Sequence, residues 1–359
     1  MGLFKPKAPK MDPILATLIL ILVCVFVFLT AAAYTVYAER KVCAWIQQRK
    51  GPNRVGPLGL LQPAADAVKL LFKEDIIPHG ANRFMHFLAP VLVTALAVLG
   101  FAMLPFTRYV DSDGVATTVQ IFDANIGILF VLAVTSISVY GITLAGWSSN
   151  SKYALLGGLR SSAQMISYEL SMGLSIVSVL LWCNYFTPDG QEYLRLSSIV
   201  ESQRSVWFIF VNPIAFFIFV TCAFAETNRT PFDLVEAEQE LVGGFHTEYS
   251  GMKFGAFFVG EYLNVIIASA MISTLFLGGY LGPFESALGV RAWEWWMQVL
   301  WGLTWFTIKT LFFVFVFIWV RWTLPRFKYN QLMDLGWKRL LPISILNLMV
   351  VAAIIFGLL

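Results

Sequence analysis

The sequence predicts an all-α polytopic membrane protein, and composition and apolar run length are the observations that predict it. Hydrophobic residues make up 58% of the 359 residues, charged residues only 13%, and the mean hydropathy is +0.72. Soluble domains carry roughly twice that charged fraction. The apolar runs are long, and in lipid only helices satisfy every backbone polar group at that length. We therefore treat residues 1–359 as a single integral membrane domain.

Eight apolar runs each meet or approach the roughly 20 residues that a helix needs to cross a hydrocarbon core of about 30 Å. We predict about eight transmembrane helices. The seventh is the least sharply bounded, because Trp-rich sequence precedes it. The runs lie at about 13–38, 84–106, 126–147, 161–182, 206–225, 255–278, 297–320 and 341–358.

The distribution of basic residues between the loops predicts the orientation. The loops after helices one, three, five and seven contain seventeen Lys and Arg, whereas the loops after helices two, four and six contain four. Cytoplasmic loops carry the excess of positive charge. Lys5, Lys7 and Lys10 oppose this assignment without reversing it. We expect the odd-numbered loops in the cytoplasm and both termini on the periplasmic side.

The first cytoplasmic loop, residues 39–83, contains an ordered pattern that a plain connector does not need. Gly51-Pro52-Asn53 and Val55-Gly56-Pro57 are strong turn signals. An amphipathic helix is predicted after them, at 60–73. A helix of this kind lies along a membrane surface or closes a crevice between spanning helices. Its two faces carry Leu60, Leu61, Ala64, Val68, Leu71 and Phe72 on one side and Asp66, Lys69 and Lys73 on the other.

Three carboxylates lie within or at the end of predicted spanning helices. Glu169 is about halfway along the fourth helix, Glu226 closes the fifth, and Glu261 lies inside the sixth. An ionisable group at membrane depth normally faces the bundle interior or a water-filled cavity. Desolvation would raise the pKa of such a carboxyl towards neutrality, which is the range that a proton carrier needs. The alternative is a structural carboxyl paired with a base such as Arg160 or Arg229.

The loop after the fifth helix, residues 226–254, is acidic and interleaved with apolar residues. Between Glu226 and Glu248 the only Lys or Arg is Arg229, so we expect a negative field that attracts protons. The interleaved apolar residues favour a folded, partly buried segment over a solvated loop. The acids that follow Glu226 are Asp233, Glu236, Glu238, Glu240 and Glu248.

The sequence contains no pattern typical of a bound redox cofactor. The four cysteines and three histidines are scattered without metal-ligand spacing. No Gly-rich phosphate loop follows a strand pattern. We expect neither a metal site, nor nucleotide or nucleic-acid binding, nor any cofactor held by this chain.

The sequence contains several long and specific motifs: Ala38-Glu39-Arg40-Lys41, Arg49-Lys50-Gly51-Pro52-Asn53-Arg54-Val55-Gly56-Pro57, Gly146-Trp147-Ser148-Ser149-Asn150-Ser151-Lys152-Tyr153, Glu226-Thr227-Asn228-Arg229-Thr230-Pro231-Phe232-Asp233 and Thr247-Glu248-Tyr249-Ser250-Gly251. These motifs resemble those of the H-subunit family of bacterial NADH:quinone oxidoreductase, which is also the family of mitochondrial NADH dehydrogenase subunit 1. The similarity extends from about residue 14 to the end. Residues 1–11 and 283–296 do not match, so we assign them no role.

This resemblance implies a role in respiratory complex I, a proton-translocating enzyme of the bacterial inner membrane. Members of the family form, with the B and D subunits, a chamber that ubiquinone or menaquinone enters from the bilayer. The first helix, the surface helix and the sixth helix would frame the opening. Residues implied for the quinone path are Glu39, Arg40, Asp66, Lys69 and Arg229. Residues implied for proton relay and coupling are Glu169, Glu226, Asp233, Glu236, Glu238, Glu240, Glu248 and Glu261.

The resemblance also implies partners and places the redox cofactors in them. NADH, FMN and iron–sulfur clusters would belong to partner subunits, and quinone would be the substrate. The implied contacts are with the B, D and I subunits of the peripheral arm, the A, J and K subunits of the membrane arm, and membrane lipid.

Two other functions are consistent with parts of the sequence. A paralogous subunit of a membrane-bound hydrogenase or related dehydrogenase shares the same architecture, and the neighbouring genes would distinguish it. A stand-alone ion or solute carrier belongs to a different class. The absence of an internal repeat and the large, docking-type cytoplasmic loops oppose the carrier. A carrier would purify as a monomer or homo-oligomer and transport alone.

Overall fold

The computed structural model describes residues 13–110, 116–187, 192–234, 243–283, 285, 289–290 and 293–358. The helices are α1 Pro13–Ile46, α2 Gln62–Phe72, α3 Arg83–Phe101, α4 Gly127–Ser148, α5 Lys152–Phe186, α6 Leu196–Ser202, α7 Phe208–Val211, α8 Pro213–Glu226, α9 Gly251–Phe276, α10 Trp295–Thr323, α11 Tyr329–Asp334 and α12 Leu341–Leu358. The strands are β1 Thr107–Val110 and β2 Ala116–Val119.

The fold class predicted from the sequence is confirmed. Within the described ranges, seven helices are long and apolar enough to cross a membrane. They correspond to seven of the eight predicted runs. The fifth run, 206–225, instead forms the short helices α7 and α8. Asn212 separates them and caps α8 by accepting a hydrogen bond from the Ala215 amide at 3.1 Å, and Pro213 follows at the first position of α8.

Residues of α9 lie at the centre of the bundle. Helix α9 is the most buried of the seven long helices, whereas α1 and the C-terminal helix are the most exposed. The main apolar core joins α9 to α5, α8 and α10. Close helix contacts depend on small residues, as expected for helices in lipid. A Cβ on Gly146 of α4 would lie 2.5 Å from the carbonyl oxygen of Ala154 in α5.

The helix predicted at 60–73 begins slightly later, as α2, because Leu60 and Leu61 belong to the preceding turn. None of its residues is buried. Phe72 is 88% exposed. The apolar side chains of α2 are therefore largely uncovered by the described part of the chain.

A two-stranded hairpin between α3 and α4 was not predicted. β1 and β2 pair antiparallel, with Thr107 opposite Val119. The hairpin packs against the start of α10, where Gln298 accepts a hydrogen bond from the Val110 amide at 3.0 Å. It lies at the end of the bundle opposite α2.

Candidate functional site: a buried charged cluster

Glu39 is the centre of a charged cluster near the C-terminal end of α1. Its side chain is buried, with 7% of the residue exposed. Arg321, in the last turn of α10, donates through Nη1 to Oε1 of Glu39 at 2.6 Å. Tyr262 of α9 donates its hydroxyl to Oε2 at 2.8 Å. A buried carboxylate is stable only when paired and hydrogen-bonded in this way.

Arg229 extends this cluster from the segment after α8. Its Nη1 lies 3.8 Å from Oε2 of Glu39, and its Nη2 lies 3.9 Å from Oε2 of Glu261. The guanidinium carbon also lies 4.3 Å from the centroid of the Tyr262 ring. We define the charged cluster as Glu39, Arg229, Glu261, Tyr262 and Arg321. It joins α1, α9 and α10 to the acidic loop.

Glu261 and Asp233 are each paired with an arginine in the structure, and for Glu261 this arginine is one of the two bases that the sequence analysis named as possible partners. Both acids are paired, Glu261 with Arg229 and Asp233 with Arg326, whose Nη2 lies 2.9 Å from Oδ2 of Asp233. Arg229 is therefore not alone in opposing the acids of the loop. Arg326 follows α10, far away in sequence, so the local sequence could not show this contact.

Glu169 and Glu226 form a separate carboxylate pair between α4, α5 and α8. Both line a small cavity of about 10 Å³, together with Thr135 and Ser136. The Ser136 hydroxyl donates to Glu169. Glu226 also lines a neighbouring cavity of about 30 Å³ that reaches Asn264 of α9. The larger cavity has room for water, which requires roughly 10–15 Å³ and polar partners.

The residues predicted for the quinone path divide into two groups. Glu39 and Arg229 lie inside the charged cluster. Arg40 points to the outside of α1 and forms an ion pair of 2.8 Å with Asp66 of α2, which also accepts from Gln62 at 3.0 Å. Lys69 is exposed on α2.

A second ion pair holds the end of α2. Lys253 of α9 lies 2.7 Å from Asp75, just beyond the helix. Together with the Arg40–Asp66 pair, it places α2 beside α1 and α9, the two helices that the family resemblance implies at the opening of the quinone chamber.

The described part of the acidic loop also packs aromatic rings around a histidine. His246 lies among Phe245, Phe254 and Phe258, with ring centroids 5.1–5.9 Å away. Burial lowers the pKa of His246 to about 4. Glu248 is half-buried nearby. Glu236, Glu238 and Glu240 lie outside the described residues.

Several residues of the site were missed by sequence reasoning. Arg321 is a basic residue in the last turn of a spanning helix, where a charge more often serves as an interfacial anchor. Tyr262 directly follows Glu261, and only the carboxylate of this pair was identified as a candidate from the sequence. Thr135 and Ser136 are ordinary residues in a membrane helix. Only the three-dimensional packing reveals that they face carboxylates.

Comparison with known proteins identifies the family. The family model described as NADH dehydrogenase matches residues 18–352. The chain belongs to the NADH dehydrogenase family. Its relatives include NADH-quinone oxidoreductase subunit 8 of Rhodothermus marinus, 57% identical over 350 residues, which are 95% of this chain and 97% of the relative.

Two further relatives of the NADH dehydrogenase family are named as H subunits. NADH-quinone oxidoreductase H subunit 2 of Geobacter sulfurreducens is 53% identical over 325 residues, which are 90% of this chain and 92% of the relative. The NADH-quinone oxidoreductase H subunit of Salinibacter ruber is 53% identical over 339 residues, covering 92% and 93%. The predicted relationship to the H-subunit family is confirmed.

Within the described residues of this NADH dehydrogenase family member, no three His, Cys, Asp or Glu side chains are grouped so that they could hold a metal ion. The polar chemistry of the site consists of carboxylates, guanidiniums, a phenol and hydroxyls. Such groups can bind and orient a polar molecule, and the carboxylates can exchange protons with it.

Proposed function

We propose that this chain is the membrane subunit of NADH:quinone oxidoreductase that forms the quinone access path and couples quinone reduction to proton translocation. The relatives are named as subunits of that oxidoreductase. Their names also support the quinone enzyme over the hydrogenase paralogue. The same names oppose a stand-alone carrier.

The observation that carries the proposal is the position of Arg229 between two carboxylates. Its guanidinium lies at almost equal distance from Glu39 and Glu261, 3.8 and 3.9 Å, whereas Arg321 holds Glu39 at 2.6 Å. A guanidinium placed in this way responds to any change of charge nearby. Reduction of a quinone takes up electrons and protons and therefore changes the local charge. The charged cluster can convert that change into a shift of ion pairs.

The access path begins at α2. Its uncovered apolar face suits the isoprenoid tail of a lipid-soluble quinone, and the Arg40–Asp66 pair suits the polar head group. α1 and α9 flank this helix, and both contribute to the charged cluster. A quinone that passes α2 would therefore approach the charged cluster between α1 and α9.

The relay into the membrane begins at Glu226, three residues before Arg229. Glu226 and Glu169 line the same small cavity, together with the hydroxyls of Thr135 and Ser136. Hydroxyls and bridging water can connect two such carboxyls through hydrogen bonds. We propose this pair as the first step towards the other membrane subunits.

We also infer the membrane in which the chain lies, its orientation and the subunits that contact it. We place the protein in the bacterial inner membrane with its odd-numbered loops cytoplasmic and both termini periplasmic. The B, D and I subunits would contact the cytoplasmic loops, and the A, J and K subunits would contact the membrane helices. NADH, FMN and iron–sulfur clusters would be bound by partner subunits, so electrons would reach the quinone from outside this chain.

The test is a Glu261→Gln substitution in the intact complex. We expect NADH oxidation by an artificial acceptor to persist, because it bypasses the quinone site, while quinone reduction and proton pumping fall together. Glu294→Gln is a matched control, because Glu294 is exposed at the other end of the bundle. Assembled Glu261→Gln complex with normal quinone reduction and pumping would contradict the proposal.

A further inference from the structure

Lys309 lies in the middle of α10, and none of the interactions described above involves it. Its residue is buried, with 8% exposed. The ammonium group donates to three backbone carbonyls, those of Leu277 at 2.6 Å, Gly279 at 2.9 Å and Leu281 at 2.6 Å. A lysine ammonium has three donors. All three are therefore used by main-chain oxygen.

These carbonyls belong to a turn that the end of α9 creates. α9 ends at Phe276, and Gly278 and Gly279 follow with φ of +69° and +47°. This left-handed backbone, which glycine adopts at little cost, turns the carbonyls towards one point. The C-terminal end of a helix is also the negative end of its dipole. The turn therefore forms a cup of oxygen atoms suited to a cation.

Residues on the other side of the cup hold it in place. Gln203 donates to the Thr274 carbonyl at 2.9 Å and accepts from the Gly278 amide at 2.9 Å. The indole of Trp207 faces the Lys309 ammonium at 4.8 Å from the ring centroid. Backbone carbonyls at interrupted membrane helices bind small cations in other proteins. Here a side chain of the protein supplies the cation.

We propose that Lys309 is a tethered cation whose ammonium group fixes the end of α9 to α10, and that its replacement by a small side chain leaves a site for a small ammonium ion with N–H donors. In this assignment Lys309 is a positioning residue. A hydrophobic side chain of equal length would fill the same space but leave three buried carbonyls without a donor. Such a loss is more costly than a lost contact.

The fixed point at Lys309 has a counterpart further along the same two helices, at the last turn of α10 and the middle of α9. There, Arg321 of α10 and Tyr262 of α9 both donate to Glu39. Lys309 and Arg321 are twelve residues apart, or about 18 Å along a helix. Two fixed points at this separation prevent α9 and α10 from sliding past each other. Lys309 thereby keeps Tyr262 and Arg321 level with Glu39.

The experiment uses the intact complex in membranes that carry Lys309→Ala. We expect quinone reductase activity to fall about ten-fold or more, because three charge-assisted hydrogen bonds are lost. Ammonium or methylammonium chloride at millimolar concentration should restore it. Tetramethylammonium chloride at the same ionic strength should not, because that ion has no N–H donor. Activity is measured with an uncoupler present, since ammonium dissipates pH gradients.

Three further variants keep the test decisive. Thr310→Val is the matched control, since Thr310 neighbours Lys309 on α10 and its buried hydroxyl has no hydrogen-bond partner among the described residues. It should behave as the wild type with or without ammonium. Lys309→Met fills the space and should show the defect without rescue. Lys309→Gln retains amide donors and should yield more assembled, heat-resistant complex than Lys309→Met.

Several results would overturn the assignment. One is wild-type activity and heat resistance in Lys309→Met. Another is equal rescue of Lys309→Ala by tetramethylammonium and by ammonium. A third is that Lys309→Gln yields no more assembled, heat-resistant complex than Lys309→Met. The last comparison remains informative even if Lys309→Ala fails to assemble. The readout by activity rests on the proposed quinone role, whereas heat inactivation and assembly do not. If ammonium restores the heat resistance of Lys309→Ala but not its quinone reductase activity, that result would support the cation site and count against the proposed quinone role of the chain.

Discussion

Arg321 and Glu39 are 282 residues apart in sequence, yet the Arg321 guanidinium donates to the Glu39 carboxylate across 2.6 Å. The contact joins the last turn of α10 to α1. Both side chains are mostly buried, at 20% and 9% exposed. In such surroundings the loss of one partner leaves an uncompensated charge, and that loss is more costly than the pair itself is stabilising.

Substitution of Arg321 or Glu39 should therefore reveal strong coupling between them. We expect Arg321→Gln and Glu39→Gln each to destabilise the protein by about 3 kcal/mol. The double variant should be less destabilised than the two single effects together. Heat-inactivation midpoints of the assembled complex, arranged as a double-mutant cycle, measure this. Additive effects would show that the two residues act independently.

The ion pair between Arg40 and Asp66 should affect the quinone and leave stability almost unchanged. It is exposed, and pairs of this kind contribute about 0–1 kcal/mol. Arg40→Ala or Asp66→Ala should therefore assemble normally. We expect lower quinone reductase activity with intact NADH oxidation by an artificial acceptor. Normal quinone reduction in an assembled variant would remove that residue from the access path.

Glu226→Gln keeps the shape of the side chain but removes its charge and its exchangeable proton. If Glu226 passes protons to Glu169, quinone reduction and proton pumping should fall together by about ten-fold or more, since general acid–base groups contribute on the order of 10²–10⁴-fold. Both rates are measured per assembled complex. Wild-type pumping would place the start of the relay at Glu236, Glu238 or Glu248. Poor assembly with normal activity per complex would indicate a structural role.

His246 predicts a dependence of stability on pH. Burial lowers its pKa to about 4 from an ordinary value of 6.5, so the folded state favours the neutral ring. As the pH falls from about 6.5 to 4, the unfolded chain takes up a proton that the folded chain resists, and stability falls, by at most about 3 kcal/mol. Heat inactivation measured from pH 7 to 5 should show this slope. The slope should be smaller in His246→Phe, and an equal slope would assign the effect to another group.

Apolar run length and charge patterning were sufficient to predict the helical membrane fold and the location of most spanning helices. They placed Glu169 at the middle of α5 and Glu226 at the end of α8. They could not predict the break at Asn212, because a polar residue followed by proline within an apolar run also occurs in continuous, kinked helices. The hairpin between α3 and α4 was missed because its strands are only four residues long.

The candidate site was predictable as a list of carboxylates but not as an arrangement. The resemblance to the H-subunit family implied that Glu39 and Arg229 belong to the quinone path. Because one is an acid and the other a base, an ionic site was expected. In the structure, Glu39 pairs with Arg321 and Asp233 pairs with Arg326. Both arginines lie far along the chain from these acids, and no local pattern links them to α1 or the acidic loop. Tertiary contacts of this separation depend on how the helices pack.

The way in which α2 is held makes salt concentration a relevant variable for this protein. None of its residues is buried, and two partly exposed ion pairs attach it to the neighbouring helices: Arg40–Asp66 near its middle and Lys253–Asp75 just beyond its C-terminal end. Dissolved ions screen such pairs: the Debye length shrinks from about 10 Å at 0.1 M to about 3 Å at 1 M. Concentrated electrolyte should therefore loosen α2 selectively, while the dry interior of the bundle, which the solvent ions do not enter, keeps its structure.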